Sequence, residues 1–179
     1  MPDCRTRNAF ALWITGLPAS GKSTIAAKLI AQLSDRGLDV ALLESDELRK
    51  IFTPRPRYDS EERDNFYRQM AYLGVLLTKH GVPVIFDATA HRRAYRDWAR
   101  QQIPKFVEVY VECPLATCIA RDPKGIYRRA REGAAETVPG LQTAYEVPEK
   151  PEMVLMGDRE APEDAARTVI NKLVEMNYI

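Results

Sequence analysis

The segment with the most specific chemistry runs from residue 16 to residue 23 and reads GLPASGKS. It fits the pattern G-x-x-x-x-G-K-[ST], which forms a phosphate-binding loop when it lies between a strand and a helix. Its glycines let backbone N–H groups point at phosphate oxygens, and the following helix adds its partial positive charge. Lys22 would bridge the β- and γ-phosphates, and the Ser23 hydroxyl would bind Mg²⁺. We predict ATP contacts from Gly16, Leu17, Pro18, Ala19, Ser20, Gly21, Lys22, Ser23 and Thr24.

Two aspartates stand where predicted strands end, beside the expected phosphate site. Asp46 follows the apolar run 40–43, and Asp87 follows the run 84–86. A carboxylate at Asp46 can accept the proton of an acceptor hydroxyl or orient that hydroxyl, because phosphoryl transfer depends on positioning and charge neutralisation. Asp87 can reach Mg²⁺ directly or through water. The predicted catalytic residues are Lys22, Asp46 and Asp87, and the predicted metal ligands are Ser23 and Asp87. Helix capping is the structural alternative for both aspartates.

The segment 121–150 is rich in Arg, Lys, Glu, Gly and Pro and poor in core residues. A loop of that length inside a compact domain is usually functional, and we interpret it as a lid. Arg121 and Lys124 are predicted to lie near the nucleotide, and the remaining arginines of the segment at the surface. A second basic group, His91, Arg92, Arg93, Arg96 and Arg100, could bind an anion. An exposed helix face is the alternative for Arg96 and Arg100.

Alternating apolar runs and helical stretches predict the scaffold that positions these residues. Five runs are predicted strands: 10–15, 40–43, 84–86, 106–111 and 153–156. Helices are predicted at 22–36, 61–80, 93–102 and 163–176, with a short helix opened by Pro114 and a loop at 52–60. This alternation favours an α/β fold, a three-layer α/β/α sandwich of P-loop NTPase type with a five-stranded parallel sheet and a lid, as one domain over residues 1–179.

Bulk composition excludes several other classes of protein. The chain has 179 residues and a formal net charge of +1, so it lacks the basic excess that holds nucleic acid by its backbone. No apolar stretch is long enough to span a bilayer. The three cysteines, Cys4, Cys113 and Cys118, have no metal-ligand spacing. The polar N-terminus does not resemble a secretory signal, and a cytoplasmic location is the expectation.

Three segments resemble the adenylylsulfate kinase (APS kinase) family. Residues 13–18 read WITGLP and open the phosphate loop as W-x-T-G-L does in that family. Residues 121–131 read RDPKGIYRRAR, which is similar to R-D-P-K-G-L-Y-K-K-A-R. Residues 145–152 read YEVPEKPE, which is similar to Y-E-x-P-E-N-P-E. The resemblance extends over almost the whole chain, from residue 11 to about residue 155.

The resemblance implies a kinase that uses ATP and Mg²⁺ to phosphorylate the 3′-hydroxyl of adenosine 5′-phosphosulfate, a small anionic nucleotide, in sulfate assimilation. Asp46 and Arg49 match the aspartate and arginine of the family's G-D-N-V-R, with Arg49 as a phosphosulfate contact. Tyr58 matches an aromatic residue that stacks on the substrate adenine, and Arg63 an arginine that holds the substrate anion. The implied substrate-binding residues are Asp46, Arg49, Tyr58, Arg63, Phe66 and Val138. Family members are often dimers, so a homodimer is a further expectation, although the sequence does not decide the oligomeric state.

Departures from the family pattern cluster on the acceptor side. Val138 stands where the family has a lid aromatic, Glu136 where it has a lysine, and Phe66 where it has an asparagine. The family's I-S-P-Y-R corresponds to residues 89–93, which read TAHRR, so that Ala90 is also a departure. The ATP side is intact, and kinase chemistry is therefore better determined than the acceptor.

Three other functions remain open from the sequence. A kinase on the same scaffold could act on another anionic nucleotide or sugar, which the altered acceptor residues favour. Residues 87–89, which read DAT, resemble the D-x-T of small-molecule and polynucleotide kinases, so a polynucleotide end is a second acceptor to consider. The near-zero net charge argues against nucleic acid. A regulatory nucleotide switch is the third alternative, and the chain has no N-K-x-D motif for guanine.

Overall fold

The structure is a computed structural model that describes residues 9–135 and 137–179. Cys4, the rest of the N-terminal segment 1–8 and Glu136 lie outside the described residues, as do the expectations placed on them. The described chain forms a five-stranded sheet of parallel strands in the order β2-β3-β1-β4-β5. The strands are β1 (Ala11–Thr15), β2 (Ala41–Glu44), β3 (Val84–Asp87), β4 (Phe106–Glu112) and β5 (Met153–Met156).

The central strand β1 carries the phosphate-binding loop at its carboxyl end. All five of its residues are buried, as expected for a strand that helices cover on both faces. Trp13 stacks on Phe86 of β3 with 4.4 Å between ring centroids. The strand predictions are confirmed, and each boundary falls within one residue of the predicted one.

Helices cover both faces of the sheet and complete the three predicted layers. One face packs against α1 and α7, with Leu29 and Ile170 among its fully buried residues, and the other against α3 and α4, with Phe66 and Met70. Along the described ranges every helix is too short or too polar to cross a bilayer. The helices are α1 (Lys22–Ser34), α2 (Ser45–Phe52), α3 (Ser60–Lys79), α4 (Arg93–Gln102), α5 (Leu115–Arg121), α6 (Ile126–Arg131) and α7 (Pro162–Glu175).

The helix α2 was not predicted, because the predicted loop began at its last residue, Phe52, and no element was assigned before it. The helix has eight residues and buries none of them, so it offers too little apolar periodicity to detect. Glu44 is its N-cap residue and Asp46 lies in its first turn, so the capping alternative for Asp46 is wrong. A carboxylate in a first turn is favoured by the helix dipole. The loop itself is confined to residues 53–59.

The lid segment is more ordered than a loop poor in core residues would be. It contains α6 and contributes Tyr127, Ala130 and Val138 to a small buried cluster with Cys113 and Cys118. The Tyr127 hydroxyl donates to the carbonyl of Pro18 at 3.0 Å. The lid is therefore packed directly against the phosphate-binding loop.

The exposed-face alternative is wrong for Arg96. Its side chain is 1% exposed, and its Nε donates to Glu108 Oε1 at 2.6 Å. Its guanidinium also donates to the carbonyls of Ala90 and Glu146, the second at 2.7 Å. Arg100 is one-third exposed and pairs with Glu108 and Glu152. These two arginines therefore join α4 to β4, Arg96 also joins it to the lid at Glu146, and Arg100 joins it to Glu152 just after the lid.

Candidate active site

A large cavity of about 1630 Å³ opens at the carboxyl ends of the strands. Its walls come from the phosphate-binding loop and the start of α1, the ends of β2 and β3, the start of α2, the segment from residue 53 to α3, the lid and residues 157–162. Carboxyl strand ends are where parallel α/β sheets bind ligands, because the connections to the following helices diverge there. The cavity is large enough for two nucleotide-sized molecules at once.

The phosphate-binding loop is held in shape by close backbone packing on both sides. Gly16 has φ of 153°, and a Cβ there would lie 2.5 Å from the carbonyl oxygen of Val111 in β4. Gly21 has φ of 105° and caps α1, which begins at Lys22. The first turn of α1 therefore presents its N–H groups at the cavity, where Ser23 and Thr24 are exposed.

Lys22 is buried, and its ammonium group lies on the carbonyls of its own loop. Nζ donates to Gly16 O at 3.1 Å and to Leu17 O at 2.8 Å. Burial lowers the pKa of Lys22, and the charge of Asp87 acts in the opposite direction. The loop carbonyls satisfy a cation that a bound phosphate would otherwise neutralise.

Asp87 ends β3 and lies beside Ile14 of β1 and Glu44 of β2 in the sheet register. It is 3% exposed and lines the cavity. Burial raises the pKa of Glu44, and the neighbouring Asp87 raises it further. Glu44 is a cavity residue that sequence reasoning missed, although it ends an apolar run in the same way as Asp87 does.

Asp46 forms an ion pair with the lid. Lys124 Nζ lies 2.5 Å from Asp46 Oδ2 and 3.9 Å from Glu44 Oε1. The hydrogen bond to Asp46 raises the pKa of Lys124. Both partners are about half exposed, so solvent screens much of this attraction. The structure thus brings Lys124 next to the carboxylate predicted to orient the acceptor.

Ser23 and Asp87 fit a magnesium ion that is shared with bound phosphates. Across 9–135 and 137–179, no group of three His, Cys, Asp or Glu side chains could hold a metal by itself. Mg²⁺ typically takes one or two protein ligands and fills the remaining positions with phosphate oxygens and water. One hydroxyl and one carboxylate, both lining the cavity, match that donor set.

On the acceptor side, Arg49, Tyr58 and Arg63 line the cavity together. The guanidinium carbons of Arg49 and Arg63 lie 5.0 and 5.7 Å from the centre of the Tyr58 ring. Arg63 Nε donates to Tyr58 O at 2.9 Å, and its Nη2 donates to both the carbonyl and the hydroxyl of Thr137 at 2.7 Å. Burial lowers the pKa of Arg63, but a guanidinium stays charged at neutral pH.

Two of the residues predicted to bind the substrate have side chains that are largely buried away from the cavity. Phe66 is fully buried beneath Arg49, whose guanidinium carbon is 3.9 Å from the ring centre, and it does not line the cavity. Val138 lines the cavity, but its side chain is 95% enclosed by the small lid cluster. Phe66 therefore supports an arginine, and Val138 presents a small apolar edge.

Of the remaining residues predicted to contact the nucleotide, some line the cavity and others do not. Pro18, Ala19, Gly21 and the first turn of α1 line the cavity, whereas Gly16, Leu17 and Ser20 do not. Ser20 Oγ is buried and has no hydrogen-bond partner in the part of the chain that the structure describes. Arg121 lines the cavity and donates to Gly157 O at 2.9 Å.

Several cavity residues were not among the predicted site residues, although Thr89 ends the D-x-T motif. Tyr67, Thr89 and Thr137 line the cavity, and so does the segment 157–162 that follows β5. Thr15 Oγ1 donates to Thr89 O at 2.7 Å and lies 2.9 Å from the hydroxyl of Tyr145. These contacts join residues more than 70 positions apart in sequence, so spacing could not have revealed them.

The second basic group lies largely outside the cavity. His91 is buried behind Ala90, which has φ of 40°, and burial lowers the pKa of its imidazole to about 4. Arg92 pairs with Asp64, and Arg93 with Glu149. Arg92 and Arg93 are engaged in ion pairs within the chain, and none of the five residues of this basic group lines the cavity.

The sequence pattern of the adenylylsulphate kinase family matches residues 8–156. A probable adenylyl-sulfate kinase of Pyrococcus abyssi is 37% identical over 170 residues, which are 95% of this chain and 98% of that protein. The adenylyl-sulfate kinase of Microcystis aeruginosa is 39% identical over 94% of this chain and 93% of its own length.

Among solved structures, the APS kinase of Mycobacterium tuberculosis in complex with AMPPNP and APS superposes with a TM-score of 0.88. It is 28% identical in sequence, and the match covers 94% of this chain and 99% of that one. The fold and the phosphate-binding loop are consistent with these matches, which cover nearly the full length of this chain. This chain belongs to the adenylylsulphate kinase family.

Proposed function

We propose that this protein transfers the γ-phosphoryl group of ATP to the 3′-hydroxyl of adenosine 5′-phosphosulfate. The observation that carries the proposal is that one cavity combines a phosphate-binding loop with a carboxylate and two arginines from other parts of the chain. The loop suits the donor, and the arginines suit an anionic acceptor. The M. tuberculosis family member with AMPPNP and APS supports the same pair of substrates.

The donor is bound by the loop from Gly16 to Gly21 and by the first turn of α1. Lys22 exchanges its two loop carbonyls for β- and γ-phosphate oxygens, where its charge opposes the charge that develops during transfer. Ser23 and Asp87 hold Mg²⁺, which neutralises phosphate charge when it is bound. Arg121 and Lys124 cover the nucleotide from the lid.

The acceptor hydroxyl is oriented by Asp46. This carboxylate is released from Lys124 when the lid lysine turns to the phosphates. It then accepts the hydroxyl proton as the hydroxyl oxygen bonds to the γ-phosphorus and the bond from that phosphorus to the β-phosphate oxygen breaks, releasing ADP. Arg49 and Arg63 bind the 5′-phosphosulfate, and the Tyr58 ring stacks on the adenine. Glu44 lies beside Asp87 and adds negative charge that favours the metal ion.

The first experiment is turnover of adenosine 5′-phosphosulfate with Mg·ATP, following both ADP and the 3′-phosphorylated product. We expect turnover in the wild-type protein and its loss in Asp46→Asn, with AMPPNP affinity unchanged in the variant. Asp35→Asn is the matched control, because Asp35 is exposed at the far end of α1. Absence of turnover in the wild-type protein, with AMPPNP still bound, would reject this acceptor.

A second acceptor of the same class is favoured by one observation. The cavity edge at Val138 is small and apolar, and this leaves one face of an acceptor base without an aromatic partner. Another anionic nucleotide or sugar is therefore the alternative substrate, and the same assay with a panel of such acceptors compares them. A polynucleotide end is disfavoured by the net charge of +1.

Sulfate assimilation is the process that this reaction would serve. Cytoplasmic location and homodimer formation stay predictions from the sequence. The family member from Thiobacillus denitrificans is a hexamer, so oligomeric state differs from the dimer expected here in at least one relative. Sedimentation of the purified protein at several concentrations measures it directly.

A further inference from the structure

Glu62 lies in the first turn of α3, and its carboxylate faces backwards along the chain. Asp59 caps this helix by accepting a hydrogen bond from the Glu62 N–H at 2.9 Å. In a capping box the acidic residue three positions later returns a bond to the N-cap N–H. Here the Glu62 carboxylate reaches further, to the two residues that precede the cap.

The Glu62 carboxylate fixes the end of the loop 53–59. Its Oε2 accepts from the Arg57 N–H at 2.6 Å, and its Oε1 accepts from the Tyr58 N–H at 3.2 Å. The side chain is 9% exposed, so these are enclosed charge-assisted bonds. Tyr58 has φ of 59°, a left-handed conformation that a non-glycine residue keeps only when its surroundings impose it.

The same carboxylate contacts one of the acceptor-side arginines. Arg49 Nη1 lies 3.4 Å from Glu62 Oε1, and Arg49 is held between this carboxylate and the Phe66 ring. On the other side of the loop, Arg63 Nε donates to Tyr58 O. The conformation of Tyr58 thus determines where the carbonyl that anchors Arg63 lies.

We infer that Glu62 is a positioning residue for the acceptor, because it holds the Tyr58 ring and both arginines in one arrangement. It does not line the cavity and touches no reacting atom. The inference rests on the proposed function, since it assigns Arg49, Tyr58 and Arg63 to acceptor binding. It predicts that loss of the carboxylate impairs acceptor binding and leaves ATP binding intact, because the carboxylate bonds to Arg49, Arg57 and Tyr58, which lie outside the phosphate-binding loop.

The test compares Glu62→Gln with Glu61→Gln, a matched control on the exposed neighbouring position of the same helical turn. An amide retains one acceptor oxygen and loses the charge, so the bonds to the Arg57 and Tyr58 N–H groups weaken. In Glu62→Gln we expect the KM for adenosine 5′-phosphosulfate to rise about tenfold, the size of one lost charge-assisted bond. The KM for ATP should stay within about twofold, as should both constants in Glu61→Gln.

Amide hydrogen exchange of Arg57 and Tyr58 supplies a readout that does not depend on the substrate. Both amides should exchange faster in Glu62→Gln than in the wild-type protein. Unchanged exchange rates would overturn the inference whatever the acceptor is. Faster exchange with an unchanged acceptor KM would show that Glu62 holds the loop but does not contribute to acceptor binding, which also overturns the inference. Equal increases in the KM values for ATP and acceptor would indicate general destabilisation and also contradict it.

A double variant tests whether Glu62 acts through Tyr58. Tyr58→Ala removes the ring, so adding Glu62→Gln should raise the acceptor KM by less than the product of the two single effects. Multiplicative effects would contradict the proposed route. Failure of the proposed function is a separate result, because it is seen as absence of turnover in the wild-type protein before any variant is compared.

Discussion

The two sides of the cavity are built in different ways. On the donor side, the backbone of one contiguous loop and the start of α1 form the site, and Gly16 and Gly21 give that loop its shape. On the acceptor side, side chains come from α2, the loop 53–59, α3 and the lid. Arg63 of α3, for example, contacts the loop at Tyr58 and the lid at Thr137, which is 74 residues away in sequence.

This difference explains why the donor site could be found from a pattern of eight residues while the acceptor site could not. A backbone site has the same chemistry whatever the variable residues are, because the N–H groups do the binding. A side-chain site changes when one contributor changes, as at Phe66 and Val138. The comparison also predicts where substitutions act: changes on the donor side and at Asp46 should affect turnover, and changes at the acceptor-side arginines and Tyr58 should affect the acceptor KM.

Lys22→Ala should have the largest effect. The variant removes the positive charge that opposes charge development on the phosphates, so we expect kcat to fall about 1,000-fold. Lys28→Ala is the matched control, because Lys28 lies on the same helix and forms only an exposed pair with Glu163. A fall of less than about tenfold in Lys22→Ala, measured as ADP release, would mean that the loop binds phosphate without taking part in transfer.

Arg96→Met should have the next largest effect, which is a loss of folding stability. It leaves the Glu108 carboxylate without its buried partner and removes the donors to Ala90 O and Glu146 O. Breaking a buried ion pair from one side costs about 3 kcal/mol of unfolding free energy. Urea denaturation measures this loss, and Arg93→Met, whose ion pairs are exposed, should lose less than about 1 kcal/mol. Similar losses in both variants would show that Arg96 does not anchor the lid at Glu146.

Arg63→Lys should raise the acceptor KM about tenfold and leave the KM for ATP unchanged. A lysine keeps the charge but cannot donate to Tyr58 O and Thr137 at the same time, because it lacks the planar fork of a guanidinium. Arg68→Lys, on the next turn of α3 and exposed, should change neither constant. Steady-state kinetics with each substrate varied in turn measures both KM values. A rise in both KM values in Arg63→Lys would contradict the division of the cavity into a donor side and an acceptor side.

Much of the fold could be predicted because strands and long helices have strong local patterns. The strand boundaries follow from apolar runs of three to six residues, and the helix α4 has the bounds predicted for it, 93–102. The helix α2 escaped prediction because it buries nothing, and the burial of Arg96 could not be predicted because its partners Glu108 and Glu146 are distant in sequence. Glu44 differs, since its position at the end of an apolar run was a usable signal.

The smallest expected effect concerns His91, which supports the acceptor wall without lining it. Burial lowers its pKa from 6.5 to about 4, and the charges of Arg63 and Arg92 act in the same direction, against Glu146 and Asp64. In the unfolded chain His91 takes up a proton near pH 6.5, whereas the folded protein resists protonation down to about pH 4. The contribution of the neutral His91 imidazole to folding stability is therefore fully present above pH 6.5 and is lost as the pH falls towards 4. Between pH 7 and pH 5, His91→Gln should lose about 2 kcal/mol less unfolding free energy than the wild-type protein. Urea denaturation at the two pH values measures this difference, with His80→Gln as the exposed control. Equal losses in wild type and His91→Gln would show that the buried imidazole makes no contribution to the pH dependence of folding.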